Sequence, residues 1–465
     1  MADELTWLPA WRIRELIGKK EVSPVAVTDH FLGRIEEHDG TLKTFRNLDT
    51  AGAKKQAAEA EQAVVRGDEL GPLHGIPVSV KEHIAVAGLP LMVGQAEEPI
   101  SKRDNFGVQR VREAGAILFG TNTMMFTGGP AALGSENGVF GGFNWDLEAR
   151  NPWDPTRVPG WSSSGGASAA AARLVPIAIG SDGGGSTRLP AAYSGVVGVH
   201  PTPNLIPWVS YDTPTHSPTM MTIGPLTRDV VDAAITLQAM VGPDGRDFTC
   251  QQLDPPDLLS GIDEGVSGMR FAWTDDYGFT EMYAQEESPR VIATVRQAAQ
   301  GLTTLGATLE TTSEVWEDFF PGFVAANYLY PTGPATGSPD PEVWNNGLDT
   351  RQRNWLKFRE VFRTHDLLVS ATSQLTARTV EDWNAAWTTD GAKFGPHGTF
   401  APVYTSHTHM FNWLGFPAVS VPCGFVDGLP VGLQIVGLPG REDRIFRAAK
   451  AFQGAFPQLD HPTVS

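Results

Sequence analysis

Cysteine is scarce: the 465 residues include two, Cys250 and Cys423. They lie too far apart to form a disulfide framework, and they fit a reducing compartment. Long apolar runs are absent. Nothing reaches the roughly eighteen residues that a membrane-spanning helix needs, so no membrane partner is expected. The opening MADELTWLPAWRIREL has acids early and no continuous apolar core, which argues against a secretory signal and for a cytoplasmic protein. Positive charge is in deficit, with 35 basic against 53 acidic residues and a formal net charge of −18. That balance disfavours nucleic acid or an anionic surface as partner.

Several catalytic fingerprints are missing as well. No GxxxxGK[ST] occurs, so the glycine-rich centre is not a Walker phosphate loop. No GxSxG supplies a nucleophile elbow. The early strands are not followed by GxGxxG spacing. His407 and His409 form an HxH pair, but no HExxH supports them and no third ligand is evident. They read as structural, and neither a metal nor an organic cofactor is expected.

Apolar residues make up 41% of the chain, enough for a large core. Residues 8–66 read as helices, with apolar positions near 3.6-residue spacing in RIRELIGKK and VAVTDHFLGRIEEH. GIPVSV (75–80) and AILFGTN (116–122) read as buried strands. The centre, 159–200, alternates a short helix at 167–172 with strands near LVPIAIGS and GVVGVH. Helices are predicted at 230–240 and 288–306, a strand at 270–274, and a closing strand pair within 418–437. This alternation predicts an α/β protein on a mixed sheet. One large domain over 1–465 is expected, with an N-terminal helical segment (1–70) and a less regular insertion at 315–405.

The densest chemical signal is SDGGGSTR, 181–188. Three consecutive glycines after a strand let backbone N–H groups converge, as a phosphate or an oxyanion requires. A flexible glycine loop is the alternative. Lys81 ends the strand-like GIPVSVK, and a lysine leaving a buried strand can lose enough basicity to act as a base. A solvated strand-end lysine is the alternative there. PGWSSSGGASAAAA, 159–172, places Ser162, Ser163 and Ser164 between a turn and an alanine-rich helix.

Taken together, GPLHGIPVSVKEHIAVAGLP (71–90), GAILFGTN (115–122), NPWDPTRVPG (151–160), GSDGGGSTRLPAAYSGVVGVHPT (180–202) and GFPAVSVPCGFVDGLPVGLQIVG (415–437) resemble the blocks of the amidase signature family, in family order. The resemblance implies an α/β/α sandwich around a large mixed, mostly parallel sheet. It implies a seryl acyl-enzyme with Ser186 as nucleophile, Ser162 as proton shuttle and Lys81 as base. Ser162 lies 24 residues before Ser186, the family's spacing. Placing Ser163 there instead would need a deletion inside the alanine helix, turning every later residue by about a third of a turn. The resemblance also implies a cis Trp161–Ser162 bond, an oxyanion hole from Gly183, Gly184, Gly185 and Ser186, and a loop braced by Asp182 with Arg188.

This chain departs from the pattern at Trp161 and Ser164, where the family has glycines. Glu82 follows the lysine in place of an aspartate, Met125 replaces a frequent glutamate, and His200 replaces a lysine. The stretch LMVGQ (91–95) also lacks the usual threonines and serine. The implied substrate is a small amide, with carbamates (a urethanase activity) and esters as further candidates, handled by a monomer or homodimer. Two other readings stay open: the A subunit of a glutamine-dependent tRNA amidotransferase, and a retired binding protein on the same fold. Between 316 and 413 stand Trp316, Trp344, Trp355, Trp383, Trp387 and Trp413, with Phe319, Phe320 and Phe323. These rings either line a substrate entrance or form core. Met124, Met125, Phe126 and Trp161 are the candidate pocket wall.

Overall fold

A computed structural model describes residues 2–92, 98–125, 146–208, 220–247, 249–250, 255–318, 320–323, 341–388, 401–457 and 460–463. Helices α1 (Ala2–Leu5), α2 (Ala10–Gly18), α3 (Pro24–Leu42) and α4 (Thr50–Arg66) open the chain. Within α3, Val27, Phe31, Ile35 and Leu42 are buried at helical spacing, and Pro24 sits at the first turn where its missing N–H costs nothing. Ser23 caps this helix by accepting from Ala26 N at 3.1 Å. One finding departs from the all-helical reading of this segment: Phe45–Leu48 forms strand β1. Its hydrogen bonds come from pairing with a distant strand, which local periodicity does not register.

The sheet continues with β2 (Pro77–Lys81), β3 (Ile117–Asn122), β4 (Ile177–Asp182), β5 (Val197–His200), β6 (Thr222–Thr227), β7 (Arg270–Trp273), β8 (Thr308–Thr311), β9 (Leu367–Ala371), β10 (Ala418–Val426) and β11 (Leu429–Val436). Between the strands lie α5 (Phe106–Glu113), α6 (Ser164–Ala171), α7 (Arg188–Ser194), α8 (Val230–Met240), α9 (Ser288–Thr304), α10 (Pro341–Thr364), α11 (Val380–Thr388), α12 (Ala401–Thr405) and α13 (His409–Leu414); α14 (Glu442–Ala455) follows the last strand. All eleven strands join one mixed sheet in the order β1-β3-β2-β4-β6-β5-β10-β11-β9-β7-β8.

Parallel pairing is confined to two blocks, β3-β2-β4 and β9-β7-β8. The other six neighbouring pairs are antiparallel. The sheet is thus less parallel than a chain of βαβ units would give, because β5, β6, β10 and β11 connect antiparallel across its middle. Within the segment 315–405, the described residues include the 24-residue α10 and strand β9 of the sheet.

Alternating side chains divide the interior into two layers. Leu367, Val369 and Ala371 of β9 join one apolar cluster, while Leu368 joins another. Strand β7 repeats the pattern, with Phe271 and Trp273 on one side and Ala272 on the other. The first cluster is aliphatic in character. The second gathers most of the buried aromatic rings, including Tyr277, Trp316, Phe358, Trp383 and Phe411. Among the described residues no helix is long and apolar enough to cross a membrane.

Candidate active site

Parallel strands β3, β2 and β4 bring Asn122, Lys81 and Asp182 to one edge of the sheet, at the carboxyl ends of the three strands. Open α/β sheets place ligands at that edge. Helix α6 starts against the same edge because Gly165 allows close approach: its N–H reaches Thr123 O at 3.0 Å, and a Cβ there would lie 2.4 Å from that oxygen. The serines before α6 are thereby pressed onto the end of β2.

Lys81 is 2% exposed. Its Nζ lies 2.6 Å from Ser162 Oγ, 3.1 Å from Ser163 Oγ and 3.0 Å from Ser181 Oγ. Burial pulls its pKa down to about 7, against the opposing pull of Asp182 and Glu82. The next residue, Glu82, is buried too and is pushed up to about 8 by desolvation, although it accepts Met124 N–H at 2.7 Å. The strand end therefore holds two ionisable groups whose ordinary charges are both suppressed.

Ser163 makes a different set of bonds. Its Oγ donates to Ser181 O at 3.0 Å and accepts from Ser181 N at 3.3 Å. Its own N–H reaches Ser186 O at 3.3 Å. That carbonyl is available because its helical partner would be Pro190, which has no N–H. The bond ties the serine turn to the glycine loop. Among the described residues, Ser186 Oγ makes no hydrogen bond to Ser162. The expected relay is therefore open at that step, with Ser162 Oγ drawn to Lys81.

Asp182 organises the glycine loop. Its carboxylate accepts from Gly185 N at 2.7 Å, Thr187 Oγ1 at 2.8 Å and Asn412 Nδ2 at 2.8 Å. Arg188 meets it through both Nε and a terminal nitrogen, each at 3.0 Å. Both partners are fully buried. Burial alone would raise the Asp182 pKa, but the Arg188 guanidinium, with the hydrogen bonds, holds it well below the carboxylate range. Arg188 is held in turn by Gln434 Oε1 at 2.9 Å, Asn412 Oδ1 at 2.6 Å and Thr408 O at 3.2 Å. At Gly185, φ is +124° and a Cβ would stand 2.2 Å from Thr408 Oγ1, so only glycine fits.

Two expectations need correction. The Trp161–Ser162 bond is trans, and no cis peptide bond occurs among the described residues. With this linkage Ser162 Oγ still reaches Lys81 Nζ, at 2.6 Å. Gly185 also drops out of the four expected oxyanion donors, because Asp182 takes its N–H. The N–H groups of Gly184 and Ser186 donate to none of the described residues.

Of the candidate pocket wall, Met125 and Trp161 are buried in the aromatic layer, whereas Met124 is half-buried and not part of that cluster. Phe126 lies outside the described residues. Trp161 packs edge-on against Trp383, with centroids 5.5 Å apart. Trp316, Trp383 and Trp413 are core residues of this layer, Trp344 and Trp355 pack on its flank, and Phe320 and Phe323 are buried within it. Phe319 and the Trp387 side chain are outside the described set. The loop itself meets apolar neighbours: a Cβ at Gly183 would lie 3.0 Å from Met221 Cε, and one at Gly184 3.1 Å from Phe323 Cζ. His407 and His409 do not converge on a metal. His407 bonds Thr280 Oγ1 and Ala371 O, His409 bonds Thr405 O, and no metal-binding group of His, Cys, Asp and Glu occurs among the described residues. Sequence reasoning did not single out Ser181, His83, Asn412 or Gln434. Ser181, His83 and Gln434 lie within quoted motifs, whereas Asn412 lies outside them and is brought in only by the fold.

The amidase family profile matches residues 26–328 and 335–446. The chain belongs to the amidase signature family. The A subunit of glutamyl-tRNA(Gln) amidotransferase from Desulforudis audaxviator (strain MP104C) is 32% identical over 500 residues, covering 96% of this chain and 95% of that one. Its counterpart from Moorella thermoacetica is 31% identical over 501 residues, with 97% of both chains covered. Among solved structures, a bacterial aryl acylamidase of the amidase signature family superposes with a TM-score of 0.79 at 25% identity, covering 97% of each chain. The A subunit of the Thermotoga maritima glutamyl-tRNA(Gln) amidotransferase superposes with 0.74 at 26% identity, covering 94% of each. This amidase signature protein is an enzyme that hydrolyses amides.

Proposed function

We propose that the enzyme hydrolyses small aryl or alkyl amides, and carbamates or esters of similar shape, through an acyl intermediate on Ser186. The supporting observation is the buried Lys81 beside Ser162 Oγ at 2.6 Å, next to a glycine loop anchored by Asp182. A lysine with a pKa near 7 is neutral in half its copies at neutral pH and can remove a proton, which one at the ordinary 10.5 rarely does. In this reading Lys81 takes the Ser162 hydroxyl proton, Ser162 takes the Ser186 proton, and Ser186 Oγ attacks the carbonyl carbon. The N–H groups of Gly184 and Ser186 meet the developing oxyanion. The proton then returns through Ser162 to the leaving nitrogen, and water repeats the sequence on the acyl-enzyme. Ser163 is unsuited to the shuttle because its hydroxyl proton is committed to Ser181 O. Asp182 with Arg188 holds the loop.

Met221 and Phe323 beside the glycines support an apolar acyl or aryl group. The curated relatives favour a second reading, in which the chain supplies ammonia from glutamine as one component of an amidotransferase with partner chains. A panel of an acetanilide, an alkyl anilide, a phenyl carbamate, a phenyl ester and glutamine separates the two. Turnover of anilide or carbamate by the isolated chain, lost in Ser186→Ala, Ser162→Ala and Lys81→Ala, supports the first. Turnover of glutamine alone contradicts it and supports the second, and turnover surviving in Ser186→Ala contradicts both.

A further inference from the structure

Lys81 has three hydroxyl neighbours, but a neutral amine has two N–H donors and one lone pair. Which hydroxyl faces the lone pair decides whether the base is usable. Ser163 is fixed by its bond to Ser181 O, so it can only accept from Lys81. Ser162 sits nearest, at 2.6 Å. Ser181 is the remaining competitor. Its hydroxyl proton could point at Lys81 and occupy the lone pair that Ser162 needs. Among the described residues, Ser181 Oγ has one other side-chain partner, His83 Nε2 at 3.1 Å. Whenever Lys81 is an ammonium it donates to all three serines, and the Ser181 proton must then go to His83. His83 follows Lys81 by two positions, is half-buried, and packs near the Trp208 ring at 6.0 Å between centroids.

We propose that His83 is a positioning residue which, by accepting the Ser181 hydroxyl through Nε2, keeps Ser181 an acceptor and so aims the Lys81 lone pair at Ser162. The proton on the imidazole then resides at Nδ1. No bond is made or broken by His83 itself. Its contribution is to remove a rival donor from the base. The inference rests on the seryl reading above and deepens it.

The test is the rate at which Ser186 is phosphonylated by an alkyl fluorophosphonate, followed by intact mass, since this reads nucleophile activation without depending on the natural substrate. The set comprises the wild type, Ser186→Ala, Lys81→Ala, His83→Ala, His83→Gln, Ser181→Ala, and His83→Ala combined with Ser181→Ala. His83→Ala should slow labelling about tenfold, a fraction of the roughly 10²–10⁴ that a positioned base supplies. His83→Gln, whose carbonyl can still accept, should recover most of that loss. Removing His83 from the Ser181→Ala background should have no further effect, because the rival donor is already gone. A merely structural His83 would instead give equal, additive losses in both backgrounds and no rescue by glutamine, which overturns the proposal. Wild-type rates in His83→Ala, with Ser186→Ala and Lys81→Ala unlabelled, would overturn this inference alone. Labelling that persists in Ser186→Ala, or none of the wild type, would overturn the seryl reading and this inference with it.

Discussion

Helix α6 begins beside Lys81, where Ser163 meets the amine, and its C-terminus, with that of α7, borders a cleft of 680 Å³; the two ends of α6 treat a desolvated cation in opposite ways. Trp7, Trp11, Arg173, Arg228, Lys450 and His461 are among the cleft's lining. Around Lys81 the partners are hydroxyls, which can accept from an ammonium or donate to an amine. At the far end the partners are mainly backbone carbonyls, which only accept. Arg34 bonds Arg173 O and Ala172 O at 2.9 and 3.1 Å, and Arg228 bonds Ala170 O and Val175 O at 3.1 and 3.2 Å. Burial lowers Arg173 to about 9, with repulsion from Arg228 and Arg34 adding to it, and lowers Arg228 to about 10. Both remain charged at neutral pH, while Lys81, starting from 10.5, comes down to about 7. The same desolvation thus leaves the lysine about half neutral at pH 7 and the arginines charged. The dipole of α6 acts in the same sense, since a helix's carbonyl end favours positive charge and its N–H end opposes it.

Substitutions break this comparison at different levels. The largest effect should come from Lys81→Ala and Ser186→Ala, each lowering kcat/KM on a responsive anilide or carbamate by about a thousandfold or more, with thermal melting nearly unchanged. Lys81→Arg should be as inactive as Lys81→Ala, because a guanidinium does not give up its proton in the working range. Next comes the loop anchor. Arg188→Met leaves a buried carboxylate uncompensated and should cost about 3–5 kcal/mol in urea unfolding. At the far end, Arg228→Met should lower stability by about 1.5–3 kcal/mol through its lost carbonyl bonds, with kcat/KM preserved. A large loss of kcat/KM there would show that the two helix ends are not separable. The smallest effect belongs to Glu82→Gln. Glu82 is largely protonated at pH 7, so removing its residual negative charge should lower the rate–pH midpoint by less than about half a unit.

Much of this arrangement is legible in the sequence. Helix α8 occupies the predicted 230–240, and the closing strand pair lies within 418–437, because amphipathic spacing and strand-terminating glycines are local signals. Lys81 and the glycine loop stand out for the same reason, each following an apolar strand. The contacts that fix their chemistry are not legible. Asn412 and Gln434 reach Arg188 across more than 220 positions, and no spacing rule encodes such a meeting. Strand β1 reads as helix because its pairing with β3 is non-local. Ser181 and His83 lie in view, but the direction of their hydrogen bonds depends on which hydroxyl proton is committed elsewhere, and that follows only from three-dimensional neighbours.

The central claim is that a neutral Lys81 activates Ser186. The most direct test is the pH dependence of Ser186 acylation under single-turnover conditions, followed by intact mass with an activated ester. Because the lysine pKa is lowered, the neutral form gains as pH rises through about 7. The rate should therefore climb with unit slope below that value and level off above it, and Lys81→Ala should abolish the climb. A rate that stays flat from about pH 5.5 to about pH 9, a range spanning the lysine midpoint, or a climb that survives in Lys81→Ala, would contradict the account.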